Sequence, residues 1–188
     1  DFRVESNGNA NMLFVDGGTN NVGIGLVPTS FSSRTSLDIG LGGKLWALTT
    51  ATETGLGNNF YFDGAYKRLT TNSASRHIQD GNGHTLSVAA SGAANSTITW
   101  IDALIIDSSG AATFSGDIIL PSTGKLYSSG DTDSFLQFNQ ANTLRAIIGD
   151  STRMIIEPNS TVFNEDGADV DFRVESDTNA NALIVDAG

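Results

Sequence analysis

The sequence contains no cysteine and only three prolines in 188 residues. Without cysteine there is no disulfide and no thiolate chemistry, so packing or association between chains must supply stability. Basic residues are also scarce, with 10 Lys and Arg against 21 Asp and Glu and a net charge of -11. Such a chain lacks the basic stripe that nucleic acids require, and no apolar run approaches the roughly 18 residues of a membrane span. We therefore expect no nucleic-acid partner and no membrane insertion.

Polar turn-forming residues and β-branched side chains dominate, and good helix formers rarely recur at helical spacing. One local pattern appears four times, as apolar residues followed by Asp or Glu and then a turn, at residues 13–16, 104–107, 154–157 and 183–186. Each is typical of a short strand that ends where an acidic side chain bonds its own backbone. The sequence therefore predicts an all-β fold built from short hairpins, without long helices.

The first eighteen residues return at the end of the chain. DFRVESNGNANMLFVDGG at 1–18 matches DFRVESDTNANALIVDAG at 171–188 in 13 of 18 positions, at an offset of 170 residues. Self-similarity at a fixed offset is typical of an array of stacked units. We expect the chain to be one period of a longer, elongated protein.

The middle of the chain differs from its flanks. Residues 44–100 hold both tryptophans, both histidines and two of the three tyrosines. Strands separated by turn signals are predicted there at 45–50, 60–64, 84–90 and 96–107, which indicates a small antiparallel, sandwich-like domain. The predicted organisation is a β-hairpin stalk repeat (1–43), a small globular β domain (44–114), a β stalk or linker (115–170) and the start of the next repeat (171–188).

Several flanking segments are apolar at every position, which predicts association between copies. Residues 118–120, 147–148 and 154–156 show no polar alternation. Fully apolar strands must be covered on both faces, yet isolated hairpins are marginal in water and exposed edges aggregate. Several copies wound about one axis would cover each other. We therefore predict an elongated fibre that is a parallel homotrimer.

The repeat and the middle domain also carry a family resemblance. The pattern DFRVES-x-x-NAN-x-L-x-VD-x-G, followed by NNVGIG at 20–25, resembles repeat modules of bacteriophage tail fibres and related virion proteins, particularly marine ones. NFYFDGAYK at 59–67 is similar to their N-x-Y-x-D-G-x-W-K stretch, with Tyr66 where Trp is more usual. Further similar blocks are GNGH at 81–84, ASGAA at 90–94, ITW at 98–100 and the linker-like segment 112–127.

This resemblance implies an all-β, usually trimeric and elongated virion appendage that contacts other virion proteins and holds or displays a host-binding tip. It implies a virion or extracellular location and a non-enzymatic role in host attachment. In such fibres a self-cleaving chaperone often follows the tip, and this sequence shows none. Two other functions remain open: a tailspike-like glycan depolymerase, and a bacterial surface adhesin or extracellular filament subunit.

The aromatic set of the middle domain is the candidate binding site. Aromatic rings can stack on the C–H faces of sugars while a carboxylate and an imidazole bond hydroxyl groups. The candidate residues for contact with a host cell-surface glycan are Trp46, Tyr61, Asp63, Tyr66, His84 and Trp100. The alternative is that these rings form the core of the domain.

Metal and catalytic sites receive little support from the sequence. Glu165, Asp166, Asp169 and Asp171 are weak calcium candidates, because their spacing matches no calcium loop and a solvated acidic turn explains them. His77 and His84 lack a third ligand, so we predict no zinc site and no cofactor. The repeated glutamates, Glu5 and Glu175, lie two residues from Arg3 and Arg173 on the same strand face. Ion pairing explains them better than the paired carboxylates of a glycosidase.

Overall fold

The computed structural model describes residues 1–121, 123–138, 142–180 and 182–186. Every regular element in this part of the chain is a β-strand, so the predicted all-β class is confirmed. The same residues include no helix long and apolar enough to cross a membrane. The strands, in chain order, are β1 (Phe2–Val4), β2 (Leu13–Asp16), β3 (Asn21–Ile24), β4 (Arg34–Ile39), β5 (Gly43–Leu48), β6 (Glu53–Asn58), β7 (Phe60–Phe62), β8 (Tyr66–Arg68), β9 (Asn72–Asp80), β10 (Gly83–Gly92), β11 (Ile101–Asp107), β12 (Ala112–Phe114), β13 (Lys125–Tyr127), β14 (Phe135–Phe138), β15 (Leu144–Ile148), β16 (Ser151–Glu157), β17 (Ser160–Phe163), β18 (Phe172–Val174) and β19 (Leu183–Val185).

The chain forms two compact units, residues 1–117 and 118–188. The first contains a ten-stranded sheet in the order β1-β2-β3-β4-β5-β6-β9-β10-β11-β12 and a two-stranded sheet, β7-β8. Because β4 and β5 pair with each other, the large sheet runs without a break from the predicted stalk repeat into the predicted globular domain. The second unit contains the five-stranded sheet β13-β14-β15-β16-β17 and the hairpin β18-β19. The four domain ranges predicted from the sequence stay predictions.

Most neighbouring strands of the large sheet are consecutive in sequence and antiparallel. The β3–β4 pair is parallel, and the crossover between these strands delivers Phe31 to one face of the sheet. The other interruption lies between β6 and β9, where the chain leaves the sheet to form the hairpin β7–β8. That hairpin covers the same face as Phe31, so the second layer of the domain is a two-stranded sheet.

Acidic residues end the strands in the predicted manner. The Asp16 carboxylate accepts hydrogen bonds from the Thr19 hydroxyl at 2.8 Å and from the amide of Gly18 at 2.8 Å. The Asp107 carboxylate likewise accepts from the hydroxyl and the amide of Ser109, at 2.6 and 2.9 Å. These hydrogen bonds stabilise the ionised forms and lower the pKa of both carboxyl groups.

The hydrophobic core of the first unit lies between the large sheet and the β7–β8 hairpin. Its buried members are Phe31, Trp46, Phe60, Ala74, Ala89 and Ile98. The Trp46 and Phe60 rings meet edge to face with centroids 5.3 Å apart, a favoured aromatic geometry. They lie on two glycines of β6. A Cβ at Gly55 would stand 2.0 Å from Trp46 Cζ2, and one at Gly57 would stand 2.2 Å from Phe60 Cε1.

A buried ion pair accompanies this core. The side chains of Asp38 and Lys44 are 4% and 1% exposed, and the Lys44 ammonium donates to Asp38. The second carboxylate oxygen accepts from the amide and the hydroxyl of Thr29, at 2.9 and 2.8 Å. Burial lowers the pKa of Lys44, while the hydrogen bond to Asp38 opposes that shift. The pair is fully hydrogen-bonded, as a buried charge requires.

The sequence repeat is also a structural repeat. Phe2 pairs with Val15 across β1 and β2, and Phe172 pairs with Val185 across β18 and β19, at the same offset of 170 residues. Both copies carry the predicted arginine–glutamate ion pair, Arg3–Glu5 and Arg173–Glu175, each about half exposed. The turn predicted after the second copy, at 187–188, lies outside the described residues.

The predicted strand at 118–120 is wrong, whereas 147–148 and 154–156 lie in β15 and β16. Ile118 and Ile119 are 59% and 91% exposed and form no strand. Pro121 follows directly, and because proline has no N–H it cannot extend a ladder of hydrogen bonds.

Candidate association surface

The large sheet has an inner face on the core and an outer face that no strand of the first unit covers with a second layer. Trp46 of β5 points inward and is 1% exposed, so its neighbour Leu45 points outward. Cross-strand partners share a face, and the register therefore defines a row across the outer face. Its members, in strand order, are Leu37, Leu45, Leu56, His77, Leu86 and Leu104.

Large aliphatic side chains dominate this outer face and are about half exposed. Leu56, near its centre, is 57% exposed. The members of this exposed set are Ile24, Ile39, Leu45, Leu56, Leu86, Val88 and Ile101. Together they present on the order of 500 Å² of contiguous apolar surface, at the upper end of what monomeric proteins show.

Charge is missing from the centre of the outer face. Side chains alternate between the two faces along a strand. On β5, β6, β9 and β10 every Asp, Glu, Lys and Arg side chain therefore lies on the inner face, as Trp46 and Ala74 do. A shallow depression of about 490 Å³ opens there, and its lining includes Leu45, Leu56 and Leu86. An uncharged apolar sheet face of this kind is typical of a surface that another protein layer covers.

The second unit repeats this arrangement on its five-stranded sheet. Ile147 and Ile155 are buried on one face. The opposite face is apolar across all five strands, through the register row Leu126, Leu136, Ala146, Met154 and Phe163. Leu126, Leu136 and Phe163 are 44–51% exposed, and a depression of about 500 Å³ lies beside the first two. Each unit therefore has an apolar sheet face whose large side chains are about half exposed.

The six predicted glycan-contact residues do not converge on one surface. Trp46 is in the core, with Tyr66 and Trp100 packed against it through Phe60, whose ring centre lies 5.6 and 5.4 Å from theirs. His84 lies on the other side of the sheet, on the outer face, beside His77.

The remaining two candidates lie on the β7–β8 hairpin. The Tyr61 hydroxyl donates to the Asn95 side-chain oxygen at 3.1 Å. Asp63 pairs with Lys67 at 2.8 Å, and this hydrogen bond lowers the pKa of Asp63 and raises that of Lys67. Both residues are accessible enough to contact a ligand. Glycan binding by this set stays a prediction.

Two arginines that the sequence reasoning missed organise the aromatic cluster. The Arg76 guanidinium lies 4.5 Å from the Trp100 ring centre and 4.9 Å from that of Tyr66. Arg34 lies 4.7 Å from the Phe62 ring centre and donates to the Tyr66 hydroxyl at 3.0 Å. Cation–π packing thus uses the ring faces of Tyr66 and Trp100 within the domain. No local sequence signal pairs these residues, because the fold brings them from separate strands.

The weak calcium candidates lie between β17 and β18, and one of them has a backbone partner. Asp166 accepts a hydrogen bond from the amide of Thr152, which assigns its carboxylate a structural role. Across residues 1–121, 123–138, 142–180 and 182–186, no group of three or more His, Asp or Glu side chains is placed to hold a metal ion.

No family model matches the sequence, and no curated protein matches it. A solved structure with partial similarity is Geobacillus virus E2 ORF18, with a TM-score of 0.39 and 16% sequence identity. The match covers 61% of this chain and 26% of that one, so the similar region spans about a quarter of the viral protein.

Proposed function

We propose that this chain is a non-enzymatic structural segment of a homotrimeric bacteriophage tail fibre or related virion appendage. Its role is to space and stiffen the appendage, and its middle region displays contacts to host glycans. The observation that carries the proposal is the half-exposed apolar sheet face on each of the two units.

The area of the outer face supports association between copies. Burying about 500 Å² of apolar surface contributes on the order of 10 kcal/mol before the cost of association is subtracted. A stable interface takes about 800 Å² from each partner, and the outer face alone would supply more than half of that area. A second copy of the same chain offers a matching uncharged surface. Identical copies also form closed symmetric assemblies, which leave no free face.

The repeat supports the role of a spacer. The hairpins β1–β2 and β18–β19 have the same register and the same ion pair. Units of one structure at a fixed interval are how extended proteins gain length. The proposed trimeric state and the proposed virion location rest on the resemblance of segments such as 59–67 to trimeric phage fibres.

The variant Leu56→Asp tests the association. It places a carboxylate at the centre of the outer face, where covering it would leave a buried, unpaired charge. We expect size-exclusion chromatography with light scattering to show a trimer for the unmodified chain and dissociation for the variant. Leu41→Asp is the matched control, because Leu41 is 76% exposed in the β4–β5 turn and the same change there leaves the outer face intact.

The two variants separate association from folding. If Leu56→Asp and Leu41→Asp gave the same mass, the outer face would not join the copies. Far-ultraviolet circular dichroism identifies any variant that has unfolded. A folded, monomeric unmodified chain would contradict the proposal itself.

Glycan display is the part of the proposal that concerns the β7–β8 hairpin. Tyr61 and Asp63 are the candidate residues that combine a ring and a carboxylate on its surface. We expect Tyr61→Ala to abolish binding on a host-glycan array without loss of folding, since Tyr61 is outside the buried core. Release of reducing ends from host polysaccharide by the unmodified chain would instead indicate a depolymerase.

A further inference from the structure

The two histidines of the chain meet on the outer face. His77 of β9 pairs across the sheet with Leu56 on one side and Leu86 on the other. His84 of β10 lies two residues before Leu86 and so has the same orientation. We propose that this pair makes the association of copies dependent on pH, so that protons separate the copies. The inference rests on the proposed function, because it concerns the face through which copies join.

The geometry of the pair requires at least one neutral imidazole. His77 Nε2 lies 3.2 Å from His84 Nδ1. The ring centres are 5.4 Å apart and the ring planes differ by 22°, so the two nitrogens point at each other between nearly parallel rings. Such a contact is an N–H···N hydrogen bond with one donor and one acceptor. Two imidazolium rings are both donors, and protonation of both would replace the bond with repulsion.

No charged side chain on the outer face can compensate a proton there. The outward neighbours of the pair on β6, β10 and β11 are Leu56, Leu86 and Ile106. The nearby acids Glu53, Asp102 and Asp107 have inward parity and are engaged elsewhere, with Trp46 Nε1, the Ser87 hydroxyl and the Ser109 hydroxyl respectively.

Asp80 is the remaining acid near the pair. It is the last residue of β9, has inward parity and accepts a hydrogen bond from the amide of Asn82 at 2.8 Å. A cation on the outer face would thus lose water on association without gaining a counter-charge. That loss costs free energy, so the covered face favours the neutral pair.

The sign of the pH effect follows from proton binding. In a separated copy water hydrates a charged imidazolium, whereas association buries the same charge without a counter-charge. Separated copies therefore bind more protons than associated ones, and association weakens on acidification. One extra proton per copy lowers the association constant of a trimer by about 1,000-fold per pH unit.

The net charge of the chain has the opposite effect on how association depends on pH. The chain carries a net charge of -11, so acidification reduces repulsion between copies and favours association. Since the chain has only these two histidines, replacing both removes the side chains that ordinarily titrate between about pH 5 and 8.

Sedimentation equilibrium of the full chain at about pH 8 and about pH 5.5 tests the inference, with the double variant His77→Gln/His84→Gln beside it. Glutamine keeps a neutral donor and acceptor at both positions. We expect the unmodified chain to form trimers at the higher pH and folded, separated copies at the lower pH, while the mass of the double variant should not change between the two pH values. Should the double variant fail to fold, His84→Gln alone breaks the pair and is expected to reduce the pH dependence.

Equal pH dependence in the unmodified chain and the variant would overturn the inference and leave the proposed function intact. A trimer of the unmodified chain that persists at the lower pH would do the same. A folded monomer at both pH values would overturn the proposed function, and the inference with it.

Discussion

Replacing Gly55 with alanine is expected to destabilise the fold, because the Trp46 indole lies where the new methyl group would stand. The added Cβ would be 2.0 Å from Trp46 Cζ2 and 2.4 Å from Cε2, far inside van der Waals contact. Trp46 is 1% exposed and packed against Phe31 and Phe60, with ring centroids 5.8 and 5.3 Å away, so the indole has little room to move.

The magnitude follows from two opposing effects. Overpacking a core costs about 1–3 kcal/mol, and the short contact places this site near the upper end. Alanine otherwise stabilises a strand by about 0.5–1 kcal/mol relative to glycine. We expect a net loss of about 2 kcal/mol. Gly81→Ala is the control, because its nearest atom, Thr52 Oγ1, would be 3.8 Å from the new Cβ, and the change should stay within about 0.5 kcal/mol.

Urea denaturation at one fixed protein concentration provides the measurement, since association makes the midpoint depend on concentration. Trp46→Leu supplies a double-mutant cycle, and Trp100 remains as the fluorescent reporter. With the indole removed, Gly55→Ala should cost less than about 0.5 kcal/mol. Equal cost in both backgrounds, or a cost no greater than that of Gly81→Ala, would refute the packing of Trp46 on Gly55.

Three further changes test the local structure, each by denaturation. Asn59→Ala should cost about 2–3 kcal/mol, because Asn59 has φ of +64° and its side chain bonds the backbone of Thr70; Asn59→Gly, which keeps the backbone conformation, should cost less. Lys44→Met should cost about 3–5 kcal/mol by leaving the Asp38 carboxylate buried without its partner, and a loss below about 1 kcal/mol would contradict this. The pKa of Asp107 is lowered in the fold, so the contribution of Asp107 to stability is present above pH 3.8 and is lost as the pH falls further. Asp107→Asn should therefore weaken the dependence of the melting temperature on acidic pH. An unchanged slope of melting temperature against pH would contradict this expectation.

The sequence predicted the strand class and most apolar strands, but three strands of the large sheet were missed. β4, β6 and β9 carry alternating polar residues or glycines instead of apolar runs. In β6 the glycines at 55 and 57 act as strand residues because aromatic rings from β5 and β7 lie on them, which is a tertiary effect. Local propensity contains no information about that contact.

The association surface was also predicted only in part from the sequence. The prediction that apolar strands need cover from other copies was made for the flanks, whereas the outer face lies on the large sheet, which includes strands of the predicted middle domain. Leu45 and Trp46 are consecutive apolar residues that face opposite sides of β5, and this lack of alternation was the available signal. The meeting of His77 with His84 depends on the register of β9 and β10, which the missed strand β9 sets.

The mass of the unmodified chain in solution tests the association of copies most directly. Sedimentation equilibrium near pH 8, above the histidine range, is expected to give three times the chain mass of 19.7 kDa, with the outer face protected from solvent. A folded species of 19.7 kDa over the whole concentration range would show that one copy tolerates its exposed apolar faces, and it would contradict the fibre.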